Sequence, residues 1–154
     1  MHRATRVERA GHWPESRASG SVTLTYDDRH RRRLRLETDA GEAFILDLPH
    51  ATALDHGDGL QLDDDRWIVV QAAPEALIEI IAEPTLLARL AWHLGNRHLP
   101  ARIEPHRILI RRDHVIADML SKLGATLRVI DAPFTPERGA YDESHGHAHL
   151  HDHD

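Results

Sequence analysis

The feature that most constrains this chain is a change of hydrophobic period at residues 73–74. Before it, apolar side chains recur at every second position, as a strand with one buried face requires. Val22, Leu24 and Tyr26 alternate with Thr23 and Thr25, and Arg alternates with Leu towards the end of 31–37. Phe44, Leu46 and Leu48 alternate with Ile45 and Asp47, and Trp67, Val69 and Gln71 with Ile68 and Val70. Turn-forming sequences separate these runs: Asp27-Asp28, Asp39-Ala40-Gly41, His56-Gly57-Asp58-Gly59 and Asp63-Asp64-Asp65. Residues 20–73 therefore read as a small all-β domain. Residues 1–19 have little periodicity and read as a loosely held N-terminal arm that at most ends in an edge strand.

Beyond Pro74 the pattern becomes mixed. Residues 76–82 are a short, β-branched apolar run, expected as a buried strand. Residues 85–97 place Leu86, Leu87, Leu90, Ala91 and Leu94 on one helical face. Residues 102–104 and 107–111 read as two strands about a Pro105-His106 turn. Asp113 is a natural N-cap for a second helix carrying Ile116, Met119, Leu120 and Leu123, and Gly124 ends it in the left-handed position. A last strand is expected over 126–130. Strand, helix, strand, strand, helix, strand is the ferredoxin-like βαββαβ order, with both helices covering one face of an antiparallel sheet. The expected fold class is thus α+β: an all-β domain, a ferredoxin-like domain over 74–132, and a linker with a disordered His-rich tail over 133–154.

Composition removes whole classes of function. The 154 residues include no Cys, which excludes disulfides, thiolate catalysis and iron–sulfur clusters. At 5 % aromatic residues the cores must be aliphatic. Two domains of this size sit near the lower limit for independent stability, so self-association is a natural aid. No apolar stretch is long enough for a membrane span, and the first twenty residues hold no apolar signal core. The default expectation is a cytoplasmic protein with no membrane partner. A net charge of −6 argues against general polyanion binding. The basic run at 30–35 reads as a solvated strand face, and 107–111 lacks the aromatics on which RNA bases stack. No HExxH, GxSxG, phosphate loop or GxGxxG is present, so no enzyme is expected.

Histidine is the residue in excess, at 14. His145, His147, His149, His151 and His153 occupy every second position, which puts five imidazoles on one side of an extended chain. Imidazole suits zinc, copper, nickel and cobalt, and binds them when neutral. Asp152 and Asp154 add charge attraction. A second candidate is His98, just beyond the first helix, where Gly95 and Asn96 are expected to turn the chain so that the ring projects as a ligand. A helix-capping role fits the same position. His114, next to the Asp113 N-cap, is a weaker candidate, because an ordinary surface histidine fits equally well. His93 reads as a half-buried packing residue, and His2, His12, His30, His50, His56 and His106 as surface residues.

HLGNRHLP (residues 93–100), RDHVIADMLSKLG (112–124), APFTPERGAY (132–141) and the His-rich end occur in that order. Together they resemble the UreE family of urease accessory metallochaperones, from about residue 20 onward. The resemblance implies a β domain for peptide or partner docking and a ferredoxin-like domain that binds metal and forms a homodimer. It implies nickel as cargo, delivered to apo-urease with an accessory GTPase and its partners; zinc, copper and cobalt are expected competitors. The family's interfacial ligand carries over to His98, with the dimer mate supplying the same residue. Its tail ligands carry over to His145 through His153. Some relatives place histidines around the start of the second helix; here His114 matches one such position, but Arg111 and Arg112 hold the neighbouring slots. The alternative is a passive nickel or zinc store with no recipient.

Overall fold

The structure is a computed structural model that describes residues 1–138. It divides into two compact units, Met1–Ala73 and Pro74–Arg138. The first is a six-stranded mixed sheet of β1 (His2–Glu8), β2 (Ala18–Leu24), β3 (Arg33–Glu37), β4 (Ala43–Asp47), β5 (Gly59–Leu62) and β6 (Trp67–Ala72). Their spatial order is β2-β6-β5-β1-β4-β3. The β1–β4 and β2–β6 pairs are parallel, and the other neighbours are antiparallel. The alternation read from sequence is realised as burial: Val22, Leu24, Leu36, Phe44, Leu46, Leu48, Ile68 and Val70 enter one aliphatic core.

The N-terminal residues differ from the sequence reading. They are not a loose arm: β1 lies inside the sheet, hydrogen-bonded to β4 on one side and β5 on the other. Only Ala4 is fully buried from β1, and Val7 packs partly, so the apolar signal was too small to read. Strand formation here comes from backbone pairing to two neighbours rather than from side-chain pattern. The connection to β2 is also fixed. Trp13 is buried, stacks on Trp67 at 5.3 Å, and donates its indole N–H to the Gly57 carbonyl at 3.0 Å. Gly59 faces the Trp13 ring so closely that a Cβ would lie 2.5 Å from it. The buried Asp58 carboxylate accepts from Arg9 (2.7 Å) and from the Ala10 and Asp55 N–H groups (3.0 and 2.8 Å).

The second unit contains β7 (Pro74–Ile81), α1 (Pro84–Asn96), β8 (Arg102–Ile103), β9 (Ile108–Arg111), α2 (His114–Lys122) and β10 (Thr126–Pro133). Its sheet runs β10-β7-β9-β8, every neighbour antiparallel. Leu87, Leu90 and Leu94 of α1 and Leu120 of α2 pack with Ile78, Ile80, Ile108 and Ile110. Pleating sends Leu77 and Glu79 to the opposite face of β7. Glu79 is 5 % exposed and takes Arg107 and Arg128, each at 2.8 Å, while Arg107 also binds Glu104 at 2.8 Å. The chain leaving β10 was read as a linker, yet it stays with this unit through Arg138. Phe134 is buried at 1 % exposure, with the Arg111 guanidinium 5.9 Å from its ring.

The Arg107 hydrogen bond holds the Glu79 carboxyl below the ordinary glutamate range; its burial opposes this, and Arg128 adds to the lowering. A carboxylate with a depressed folded-state pKa stabilises above the unfolded value and loses that contribution as pH falls through the folded value. Glu79→Gln should cost about 1–2 kcal/mol at neutral pH, because it leaves the two arginines facing a neutral amide. Urea unfolding at pH 7 and at pH 3 should show the gap between variant and parent narrowing in acid.

Candidate metal centre

The geometry around His98 follows from how α1 ends. Gly95 and Asn96 do not turn the chain; they are the last two residues of the helix, and Arg97 is its C-cap. The turn is made by His98 itself, at φ 57° in the left-handed region. Its N–H donates to the Gly95 carbonyl at 3.0 Å, and the Leu99 N–H to the Leu94 carbonyl at 3.1 Å. These are the two bonds of a Schellman ending, with Leu99 and Leu94 supplying the accompanying apolar pair. Helix α2 ends the same way: Gly124 at φ 99° donates to Ser121 (3.0 Å), and Ala125 to Leu120 (3.1 Å).

The two endings differ in one respect. Glycine occupies the left-handed position of α2 at no steric cost, whereas a side chain there costs roughly 1–2 kcal/mol. Histidine is among the residue types more often found in this region, but glycine serves better. The His98 backbone makes the cap, and the residue stands exposed at the end of the helix. An imidazole kept where glycine would be less strained points to a use for the ring.

His114 is the first residue of α2 and is exposed. The N-cap work is done by its neighbour: Asp113 accepts from the N–H groups of Val115 (2.9 Å) and Ile116 (3.1 Å). The segments carrying His98 and His114 border one cleft of about 260 Å³, lined by Leu99, Pro100, Ile110, Arg111, Arg112, Asp113 and Ile116. His93 is half-buried, its ring edge-on to the exposed Trp92 at 5.1 Å. His145, His147, His149, His151 and His153 lie outside the described residues.

Among the described residues, one group of three close donor side chains was not foreseen: His2, Asp63 and Asp64. His2 Nδ1 lies 2.6 Å from Asp63, and Nε2 lies 3.4 Å from Asp64, whose carboxylate also takes Arg66 at 2.7 Å. The ring and both acids are well exposed, and the contacts clasp β1 to the β5–β6 turn. The His2 hydrogen bond lowers the Asp63 pKa, against the opposing effect of partial burial. Only a sequence reading that placed β1 in the sheet could have joined residues so far apart in the chain.

An exposed imidazole on a rigid helix end, in a chain with a further run of histidines, describes a metal-handling accessory protein more readily than a catalyst. The comparisons with known proteins name an accessory protein. Residues 2–73 match the model of the UreE urease accessory protein N-terminal domain, and residues 75–154 that of its C-terminal domain. The chain is 56 % identical to the urease accessory protein UreE of Ruegeria pomeroyi, over 93 % of this chain and 95 % of that protein. It is 55 % identical to the UreE of Rhodopseudomonas palustris strain HaA2, over 97 % of this chain and 70 % of that protein. With the UreE of Bradyrhizobium sp. strain BTAi1 it shares 56 % over 97 % and 73 %. The chain belongs to the UreE family of urease accessory proteins.

If the His98 backbone is strained for the sake of its ring, His98→Gly should stabilise the metal-free protein by about 0.5–1 kcal/mol. His98→Ala, which keeps a Cβ at positive φ, should change stability little. Urea unfolding in the presence of a chelator checks both; a destabilised glycine variant would show that the ring supports the fold.

Proposed function

We propose that this chain carries nickel to apo-urease during assembly of the urease metallocentre. It works in the cytoplasm as a homodimer, with an accessory GTPase and its partners. The observation that carries the reading is His98, an exposed imidazole held on a left-handed helix ending in a chain of the UreE family. The antiparallel order β10-β7-β9-β8 with both helices in one core supports a ferredoxin-like second domain, which would provide the dimer surface. The β domain would serve in docking peptides or partners.

In this mechanism two His98 rings, one from each protomer, hold one ion with an incomplete shell. Imidazoles from His145 to His153 complete it. The helix end fixes His98, because its position is set by two backbone hydrogen bonds and a buried leucine. The tail ligands are exchangeable, so the ion can pass to a recipient by stepwise ligand replacement. A delivery protein needs that lability, and a catalytic site does not. His114, beside the same cleft, is a secondary ligand in this scheme. Zinc, copper and cobalt compete, since imidazole ranks them close to nickel or above it.

Calorimetric nickel titration separates delivery from storage. The intact chain, a chain ending at Tyr141, and that shorter chain with His98→Ala should be compared. Truncation is expected to remove weak sites and spare one tight ion per two chains, which His98→Ala then abolishes. Loss of all binding on truncation alone would favour a passive store. Affinity at the tight site should also fall steeply between pH 8 and pH 5.5, because protons compete with the ion for the imidazole nitrogens. An affinity unchanged over that range would rule out histidine ligation.

A further inference from the structure

The six-stranded sheet has two outer edges, β2 and β3, and they differ in what covers them. At β2 the Ser21 carbonyl accepts from the Asp39 N–H at 2.8 Å, and the Asp39 carboxylate takes the Ser21 and Thr23 hydroxyls at 2.6 and 3.0 Å. At β3 the register decides which groups face outward. The Leu48 N–H donates to the Arg32 carbonyl (3.0 Å) and the Thr38 N–H to the Glu42 carbonyl (2.8 Å). Bonded pairs alternate along an antiparallel ladder, so between those two bonds it is Leu34 and Leu36 whose backbone groups run to β4. The N–H and C=O groups of Arg33, Arg35 and Glu37 point off the edge, where no hydrogen bond reaches them among the described residues.

That bare edge is cationic. Leu34 and Leu36 turn towards the core, which leaves the Arg33 and Arg35 side chains exposed on the outer face. Arg35 lies opposite Ile45 of β4, and Ile45 opposite Arg3 of β1, so Arg3 shares that face. Arg31, just before the strand, is also exposed. Against these four arginines stand two acids: Asp47, which takes Arg33 at 2.8 Å and Arg3 at 3.2 Å, and Glu37, 3.9 Å from Arg35. Charge on an open edge guards against pairing with neutral strands and with copies of itself. Two copies paired antiparallel about Arg35 would set their Arg35 side chains against each other. A strand carrying carboxylates meets the opposite situation, because unlike charges directly across a ladder stabilise the pair.

We infer that β3 takes an extended acidic segment of a partner protein as a seventh strand, with carboxylates at alternate positions facing Arg33 and Arg35. The edge sets the partner's chemistry. The backbone groups of Arg33, Arg35 and Glu37 supply main-chain bonds to any extended chain, and the two arginines select an acidic one. Glu37 rejects a third acid at the end of the run, which sets the register of the segment. The inference rests on the reading of the β domain as a docking module, and nickel takes no part in it.

The probe is the capped peptide Thr-Val-Glu-Val-Glu-Val-Thr, added to the isotope-labelled full chain with a chelator present and followed by amide NMR and hydrogen exchange. The Arg33, Arg35 and Glu37 amides should become protected, with shifts confined to β3 and β4. Binding should fall about tenfold when Gln replaces both Glu of the peptide, and the Glu peptide should bind more weakly at about 0.5 M NaCl. Arg33→Gln/Arg35→Gln should reproduce that tenfold loss while keeping the dispersed spectrum of the parent. Methylating the peptide nitrogens that face β3 should abolish binding with no change of charge; retained binding would overturn strand addition in favour of charge attraction alone. Shifts confined to another part of residues 1–73 would overturn this edge and leave the docking reading standing, whereas no shift anywhere in that domain would overturn both. Protection of the same amides in the protein alone, rising with its concentration, would overturn the proposal in favour of a second copy. Nickel titration of the double variant should match the parent, since the edge holds no ligand.

Discussion

The central strand β7 is the element on which the second unit depends. It pairs with β10 along eight positions and with β9 along four, so it has a hydrogen-bonded neighbour on each side. Ile78 and Ile80 face the helices, and Glu79 faces away and draws in Arg107 and Arg128. A buried carboxylate on that strand is tolerable because two guanidinium groups meet it, each still partly in water. Helix α1 is thereby seated through Leu87, Leu90 and Leu94, and the seating of Leu94 decides where the helix can end. The position of His98 is a consequence of β7 at one remove.

At that end the chain accepts local strain and keeps a metal-capable ring exposed. The two helices of the unit close with the same pair of backbone bonds, one on Gly124 and the other on His98. Glycine would suit both endings, so the difference concerns what the side chain does rather than how the helix stops. A turn fixed by backbone bonds leaves the His98 side chain with no part in the cap.

Much of the architecture was legible because it is written in apolar periodicity. The strands of 22–24, 44–47 and 67–72, both helices, the Asp113 cap and the Gly124 ending follow from spacing and residue type. Strand β1 was not legible, since Ala4 and Val7 are too small a signal among arginines and its pairing partners are distant in sequence. The 9–17 connection was missed for a related reason: Trp13, Asp58 and Gly59 hold it through contacts some 45 residues apart. Residues 134–138 read as linker because one phenylalanine and one glutamate carry no period, yet Phe134 is buried and Glu137 is bonded twice.

The sequence by itself determined that the chain has two aliphatic cores, no thiol, and a surplus of histidine. It also singled out His98, although for a turn at Gly95 and Asn96 that the helix in fact absorbs. Only the tertiary structure decided that His98 occupies the left-handed position, because that depends on Leu94 being locked into the core behind it. The convergence of the His98 turn, the start of α2 and the Glu137 segment was likewise a tertiary outcome. Local pattern fixes which face of an element is buried; which buried faces share a core, and what their ends then bring together, is set by strand order across the sheet.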